Sequence, residues 1–196
     1  MQVLVIYCHP DETSFANALR AGVIESLTAS GHGVTDLDLY GEGFNPVMTR
    51  EERSEYSDGP RYIKTVEKYA AQLASAEAIV AVYPTWWYGL PAMLKGYFDR
   101  VWAPGIAFDL TPAGGVATDR LAHISRIAVV TTYGSPWWLI RFYMGDPERK
   151  LWSRGVRQLC ARHCKLDWHA RYDMDRAKPA DLDRFLARVK SKMARW

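Results

Sequence analysis

The sequence predicts an α/β fold in which five parallel strands form one sheet with helices on both faces. Short apolar runs alternate along the chain with segments whose apolar residues recur at helical spacing. This alternation favours a parallel sheet, because each right-handed crossover through a helix starts the next strand in the same direction. A chain of 196 residues is long enough to bury a sizeable core, so we expect residues 1–196 to form a single domain.

The predicted strands are short and mostly apolar, which is typical of strands covered on both faces. The third of them reads Ala-Ile-Val-Ala-Val-Tyr and predicts a buried, central strand. The fifth is the weakest prediction, because that strand carries charged residues. In chain order the strands span residues 3–7, 34–39, 78–83, 124–132 and 166–172.

The predicted helices lie between the strands. The first begins at Ser14, carries an apolar stripe along one face, and ends at a Gly-His-Gly segment. A polar segment, 40–60, predicts a long loop, and a Gly- and Pro-rich segment, 103–121, predicts a second excursion from the sheet. The helices span residues 14–29, 50–56, 61–74, 91–101, 146–164 and 179–193.

The composition narrows the class of protein. The net charge is only +3, and the basic residues of the segment 149–165 are typical of a solvated helix face, so we expect no nucleic-acid partner. No apolar run is long enough to span a bilayer, which predicts no membrane insertion. The chain begins with apolar residues and no basic region before them, which indicates a first strand and a cytoplasmic protein.

The cysteines predict neither disulfides nor a metal site. Cys8, Cys160 and Cys164 are too few for a disulfide framework. The last two lie near His163 and His169, but the spacing lacks the usual paired C-x-x-C arrangement. Because both also share an apolar stripe, we expect buried thiols of the core and no metal.

The loop after the first strand has the chemistry of an anion site. It reads His9-Pro-Asp-Glu-Thr13-Ser14-Phe15 and leads into a helix. Hydroxyls and open backbone N–H groups at a helix start favour phosphate, helped by the helix dipole. The alternative is that Thr13 is only the helix N-cap, which leaves the preceding His-Pro without a role.

Two more loops are rich in aromatic residues. After the third strand the chain reads Pro84-Thr85-Trp86-Trp87-Tyr88, and after the fourth it reads Thr131-Thr132-Tyr133-Gly134, followed by a second Trp pair. A hydrophobic plug is one interpretation of the first aromatic loop. Loops lie on the surface, however, and consecutive exposed aromatics are costly without a ligand or partner.

These three loops are expected to meet at one edge of the sheet. In open α/β sheets the carboxyl ends of the strands carry the ligand at the point where strand order reverses. An anion site, hydroxyl groups and flat aromatic walls together predict a cofactor with a phosphate, a polar tail and a planar ring.

The long segment 83–101 resembles the NAD(P)H dehydrogenase (quinone) family. It matches the pattern [FY]-P-x-x-W-[FY]-x-x-P-A-x-L-K-G-[WY]-[FL]-[DE]-R-V at nearly every position. The segment 9–15 is similar to the family's flavin phosphate loop, 131–134 to its third flavin loop, and 44–47 to an element after the second strand. The resemblance implies a flavodoxin-like three-layer sandwich with strand order 2-1-3-4-5.

The same resemblance implies a flavin cofactor, with FAD favoured over FMN, reduction by NAD(P)H, and a homodimer with the active site at the interface. It also implies where each part of the flavin is bound. The residues expected to hold the phosphate and ribityl groups are His9, Thr13, Ser14 and Phe15. Those expected to border the ring are Pro84, Thr85, Trp86, Trp87 and Tyr88. Those expected to contact its pyrimidine end are Thr131, Thr132, Tyr133 and Gly134.

One stretch departs from the family pattern. Well-known members carry a Tyr and a His near the flavin, and here Met144 stands where the His is expected. Tyr143 is the candidate that remains for a catalytic side chain, and we expect proton handling to depend on solvent, backbone donors or this tyrosine.

The function expected from the residues and the resemblance is two-electron transfer from NAD(P)H to a quinone or similar acceptor. Both substrates use one pocket in turn, which predicts ping-pong kinetics through the bound flavin. Two alternatives stay open: an electron carrier of the flavodoxin type, which the mildly basic charge disfavours, and a regulatory flavoprotein subunit of a potassium-efflux transporter.

Overall fold

A five-stranded parallel sheet forms the centre of the computed structural model, which describes residues 1–111 and 116–196. The strands are β1 (Gln2–Tyr7), β2 (Gly33–Asp38), β3 (Ala78–Pro84), β4 (Phe108–Leu110), β5 (Val116–Asp119), β6 (Arg126–Thr132) and β7 (Lys165–Arg171). The central sheet has the order β2-β1-β3-β6-β7, and β4 pairs with β5 in a separate antiparallel hairpin. Counted within the central sheet alone, the predicted order 2-1-3-4-5 of a flavodoxin-like fold is confirmed.

Helices cover both faces of this sheet. The helices are α1 (Phe15–Ala29), α2 (Arg50–Glu55), α3 (Gly59–Thr65), α4 (Glu67–Ser75), α5 (Ala92–Val101), α6 (Pro147–Lys150) and α7 (Pro179–Met193). Side chains alternate between the two faces along β1, with Val3 and Val5 on the face of α1 and α7, and Leu4 and Ile6 on the face of α3, α4 and α5. All seven residues of β3 are buried, as the apolar run predicts for a central strand.

The predicted helix 61–74 is wrong in one respect, because the chain forms two helices there. Val66 separates α3 from α4 with a φ of −130°, and its N–H donates to the Ile63 carbonyl in a tight final turn. The Val66 side chain is buried in the core. Packing of this β-branched residue overrides the helical pattern that the sequence shows on either side.

The predicted helix 146–164 is also wrong in its type and its end. Only α6 is α-helical, and it continues into a wider π-helical turn, Leu151–Val156, and a 3₁₀ turn, Arg157–Leu159. The π turn places Trp152 inside the core, where its indole N–H donates to the Tyr83 hydroxyl at 2.7 Å. The chain is extended at Cys160, and the three cysteines are buried, as expected for core thiols.

The excursion 103–121 contains the β4–β5 hairpin, which the sequence did not predict as strands. Residues 112–115 of that segment lie outside the described residues. No helix in the described part of the chain is long and apolar enough to cross a bilayer.

Candidate functional site

A cleft of about 800 Å³ opens at the carboxyl ends of β3 and β6. This is the edge of the sheet at which open α/β folds bind ligands. Its size lies within the range of small-molecule and cofactor sites. Its walls are Thr85, Trp87, Tyr88, Tyr133, Gly134, Ser135, Pro136, Trp138, Asp173, Asp175 and Arg176.

The aromatic wall of the cleft is a strained two-residue turn. Trp86 and Gly89 exchange backbone hydrogen bonds of 3.1 Å across it, and Trp87 and Tyr88 form its tip with φ angles of 51° and 62°. Two consecutive positive φ values define a turn that normally takes Asn-Gly, so aromatic residues here are strained. Trp87 is also 96% exposed. Strain and exposure combined at one loop are typical of a functional segment.

The opposite wall follows β6 and is joined to the end of β7. The Tyr133 N–H donates to the Arg171 carbonyl at 2.8 Å, and the Tyr133 ring stacks on Tyr172 at a centroid distance of 4.9 Å. A Cβ atom at Gly134 would lie 3.0 Å from an Asp175 carboxylate oxygen, so a side chain at this position would require Asp175 to shift by a few tenths of an ångström. The segment after β7 therefore forms part of the site, which the sequence did not predict.

The loop after β1 is held together by its own side chains. The Asp11 carboxylate accepts the N–H and the hydroxyl of Thr13, each at 2.7 Å, and these two hydrogen bonds lower the pKa of Asp11. Ser14 is the N-cap of α1 and accepts the Asn17 N–H at 3.2 Å. The helix cap is thus Ser14 and not Thr13, while an anion, the Asp11 carboxylate, occupies the Thr13 donors.

A buried carboxylic acid lies directly behind the cleft. The Glu148 side chain comes from α6 and is 2% exposed, and its Oε2 accepts the Thr85 hydroxyl at 2.8 Å. Thr85 Oγ1 also lies 2.9 Å from Thr131 Oγ1, so one hydroxyl joins two strand ends to the acid. Thr85 lines the cleft, and Glu148 is therefore one side chain away from it.

The surroundings of Glu148 favour its protonated form. Burial raises the pKa of the Glu148 carboxyl, and the nearby Asp146 carboxylate raises it further. The hydroxyls of Tyr83, Thr85 and Tyr133 lower this pKa, but the net shift is upward. Burial and Glu148 in turn raise the pKa of Tyr83 well above its usual range. Among the described residues, no hydrogen bond of good geometry reaches Glu148 Oε1 or the Tyr133 hydroxyl.

Sequence reasoning missed Glu148 because its local pattern is ordinary. It follows Asp-Pro at the start of a helix, where an acidic residue is favoured by the helix dipole and normally faces water. Nothing in the neighbouring residues indicates that Tyr83, Thr85 and Tyr133 surround it. Only the pairing of β3 with β6 brings those side chains to α6.

The structure brings most of the expected site residues to one edge. Five of them line the cleft: Thr85, Trp87, Tyr88, Tyr133 and Gly134. Pro84, Thr131 and Thr132 are buried behind it, and the His9 ring lies 6.2 Å from the Trp86 ring, which joins the first loop to the second. The remaining first-loop residues, Thr13, Ser14 and Phe15, lie outside the cleft lining, at the start of α1.

The remaining expectations from the sequence were Tyr143 as the catalytic candidate and no metal site. Tyr143 is 82% exposed at the end of a π turn, Leu139–Tyr143, and does not line the cleft. Across residues 1–111 and 116–196, no group of three or more His, Cys, Asp and Glu side chains is arranged to hold a metal ion.

Comparison with protein families places the chain among flavodoxin-like proteins. The model of a family described as having the flavodoxin-like fold matches residues 1–191. A curated relative, human ribosyldihydronicotinamide dehydrogenase (quinone), is 30% identical over 180 residues, which cover 81% of this chain and 76% of that protein. Three other curated relatives, two of them described as uncharacterized NAD(P)H oxidoreductases, are matched over 54–64% of their own length.

Solved structures agree on the fold. An NAD(P)H:quinone oxidoreductase from Methanothermobacter marburgensis superimposes with a TM-score of 0.82 at 22% identity, covering 99% of this chain and 98% of that one. An FMN-dependent NADH-azoreductase from Bacillus anthracis, solved in complex with FMN, gives a TM-score of 0.76 at 16% identity, with 99% and 98% covered.

Proposed function

The chain belongs to the NAD(P)H dehydrogenase (quinone) family of flavodoxin-like proteins, and from this we propose that it is a flavin-dependent oxidoreductase. It transfers two electrons from NAD(P)H to a quinone or a similar acceptor, with the two substrates using the cleft in turn. The observation that carries this proposal is the cleft between the Trp87–Tyr88 turn and the Tyr133–Gly134 wall.

The residues of the cleft fit a flavin. When bound, the flavin supplies the chemistry of hydride acceptance and electron release. The strained aromatic turn provides a flat apolar wall, and Gly134 allows a close approach of backbone to ligand. Tyr133 lines the cleft beside Gly134, where its ring stacks on that of Tyr172. The cleft walls are supported from behind by the buried residues Pro84, Thr131 and Thr132, and Trp86 lies beside them in the same loop as Trp87.

The phosphate of the cofactor is assigned to the loop after β1. The Thr13 N–H and hydroxyl already hold a carboxylate, that of Asp11, at 2.7 Å. A phosphate oxygen in the same position would accept the same two donors, close to the start of α1. His9 and Ser14 flank this position, and Phe15 anchors the helix through its contact with Phe185 at a centroid distance of 6.3 Å.

We also propose that the protein is a homodimer. Beside the cleft lie four exposed aromatic side chains, namely Trp137, Trp138, Phe142 and Tyr143. An exposed aromatic patch of this kind favours an interface, and a two-fold dimer would use the same patch on both subunits. Analytical ultracentrifugation of the flavin-loaded protein at micromolar concentration tests this proposal, and a monomer mass would contradict it.

The reductase proposal is tested by identifying the cofactor and following both half-reactions. Purified protein is expected to be yellow with about one flavin per chain, since the sheet edge offers one set of loops. Mass analysis of the released cofactor distinguishes FAD, which the resemblance favours, from FMN. Stopped-flow mixing with NADH and with NADPH is expected to bleach the bound flavin, and a benzoquinone to restore its colour.

Three outcomes would overturn the proposal in different ways. Protein that stays colourless after reconstitution with FMN and with FAD would contradict the flavin. Bound flavin that neither nicotinamide reduces would favour the electron-carrier alternative. Loss of flavin affinity in a folded Thr13→Ala, Ser14→Ala double variant supports the phosphate loop, and unchanged affinity would contradict it; each lost hydrogen bond to a charged group is worth roughly 1.5–3 kcal/mol.

A further inference from the structure

The proposed reaction needs a proton that the hydride does not bring. Reduction of a quinone to a hydroquinone takes up two electrons and two protons, and a hydride carries both electrons and one of those protons. The second proton must come from water or from the protein. Tyr143, the candidate from the sequence, is 82% exposed and does not line the cleft.

Glu148 is placed to supply that proton. Its carboxyl lies behind the cleft wall, and Thr85 is the side chain that connects it to the cleft. Thr85 Oγ1 lies 2.8 Å from Glu148 Oε2 and 2.9 Å from Thr131 Oγ1. When Glu148 is protonated its O–H donates to Thr85 Oγ1, and rotation of the Thr85 hydroxyl then turns its own proton toward the cleft. The distance of 2.8 Å between Thr85 Oγ1 and Glu148 Oε2 is that of a good O–H···O hydrogen bond.

We propose that Glu148 holds the second proton of the reaction and passes it to the cleft through the Thr85 hydroxyl. The Glu148 O–H bond breaks as its proton moves to Thr85 Oγ1, and Thr85 gives its own hydroxyl proton to the reduced acceptor in the cleft. No electrons move in this step. Glu148 is left as a carboxylate, and water restores its proton after the product leaves. This inference rests on the proposed function, and it makes Glu148 a positioning residue that acts through Thr85.

Burial is the main reason why Glu148 can hold a proton, and the Asp146 carboxylate at the start of α6 adds to it. The hydroxyls of Tyr83 on β3, Thr85 and Tyr133 also face the acid, and they act in the opposite direction by favouring the carboxylate. Within residues 1–111 and 116–196, no cation forms an ion pair with Glu148; Arg141 and Arg149 approach Asp146 instead, at 3.6 and 3.9 Å. A buried acid without a cation is stabilised in its neutral form, in agreement with its raised pKa.

The first test measures the protonation state of the Glu148 carboxyl directly and does not depend on enzyme activity. Infrared spectra of the full chain, recorded across a pH titration without cofactor, are expected to show the C=O band of a protonated carboxylic acid at pH values where a free glutamate is ionised. Glu148→Gln removes this band. Glu52→Gln, which changes a second buried glutamate that does not line the cleft, leaves the band in place.

The second test follows the proton into the reaction. In the flavin-loaded parent, the kcat for a benzoquinone is expected to fall as the pH rises through the value at which the infrared band disappears. Glu148→Gln flattens this profile and lowers the low-pH kcat roughly 10- to 100-fold, less than a direct general acid, because water replaces part of the relay. The KM for NAD(P)H stays unchanged, and Glu52→Gln keeps the parental profile.

Thr85 variants test the path. Thr85→Val is expected to keep the infrared band and to flatten the kcat profile, and Thr85→Ser, which restores a hydroxyl, is expected to restore the profile. A Glu148→Gln variant with the parental pH profile would overturn the inference while leaving the reductase intact. An infrared titration without the band would overturn it as well. A flavoprotein that reduces no quinone would remove the proposed function and this inference together.

Discussion

Glu52 and Glu148 are both buried glutamates, at 7% and 2% exposure, but they are held in opposite ways. Glu52 on α2 forms an ion pair with Arg100 on α5. Glu148 on α6 contacts the Thr85 hydroxyl and faces tyrosines, with a second carboxylate nearby. Within the described part of the chain, a cation compensates Glu52, whereas neutral hydroxyls are the hydrogen-bonding groups around Glu148.

The Glu52 region is built for structure. One carboxylate oxygen of Glu52 accepts the Arg100 guanidinium, and the other accepts the Thr49 N–H at 2.8 Å in a capping box that starts α2. Arg100 also donates to the Asn45 carbonyl and lies over the Phe44 ring. The pair therefore joins the long loop before α2 to α5.

The cleft region differs from the Glu52 region in how its polar groups and its backbone are stabilised. Among the residues that the structure describes, no cation pairs with Glu148 there, and Trp87 and Tyr88 have left-handed backbone. Such features cost stability and tend to gather at functional sites. The contrast shows that burial alone does not indicate whether an acid is structural or functional. The groups that contact its carboxyl distinguish the two cases.

The largest expected effect belongs to the structural side of this comparison. Arg100→Ala leaves Glu52 buried without its cation, which costs about 3–5 kcal/mol of unfolding free energy. Urea denaturation measures this loss. The matched cleft variant, Glu148→Gln, keeps a hydrogen-bonding side chain of the same shape and is expected to cost far less. Equal losses in the two variants would break the distinction between the two acids.

The strained turn gives the next largest effect, in the opposite direction. Replacing Trp87 by Asn and Tyr88 by Gly gives the turn the residues that its backbone geometry favours, which is expected to stabilise the fold by about 1–2 kcal/mol. The same double variant loses the aromatic wall and is expected to bind flavin more weakly. Thermal unfolding and a flavin titration measure the two effects, and a variant that gains stability with undiminished affinity would show that this strain serves no function.

The pH dependence of stability sharpens the contrast further. Because the pKa of Glu148 is raised on folding, the folded state binds more protons than the unfolded state above the ordinary glutamate pKa. The stabilisation is therefore complete below the unfolded pKa and is lost as the pH rises through the folded value. The parent minus Glu148→Gln difference in unfolding free energy is expected to fall over this range. A difference that rises with pH would show that Glu148 is stabilised as the carboxylate.

The smallest effects are expected at exposed candidates. Tyr143→Phe and His9→Gln, each compared at full flavin occupancy, are expected to keep turnover within roughly tenfold of the parent, below the range for loss of a general acid. Steady-state rates with NADH or NADPH and a benzoquinone measure this. A hundredfold loss of turnover in Tyr143→Phe would indicate that the exposed tyrosine, and not the buried Glu148, supplies the proton.

Periodicity and loop chemistry in the sequence were sufficient to predict the sheet and its functional edge. The alternation of strand-like and amphipathic segments predicted every strand of the central sheet. The signal is strongest for β3, which is apolar because helices cover both of its faces, and weakest for the edge strand β7, which carries charged residues. The aromatic and hydroxyl residues after the third and fourth strands predicted the cleft, because parallel strands end at the same edge.

Long-range contacts decided the rest. The break at Val66 and the π turn that buries Trp152 depend on the residues that pack against them. Local helix propensity does not depend on such distant residues, so it cannot predict either feature. Glu148 is the clearest case: its neighbours in sequence predict a solvated acid in the first turn of a helix. Its burial arises because the end of β3 and the segment after β6 bring Tyr83, Thr85 and Tyr133, about 15 to 65 residues away, next to it. This burial raises the pKa of Glu148 although the three hydroxyls oppose the rise, and a protonation state set by such contacts exists only once the sheet has formed.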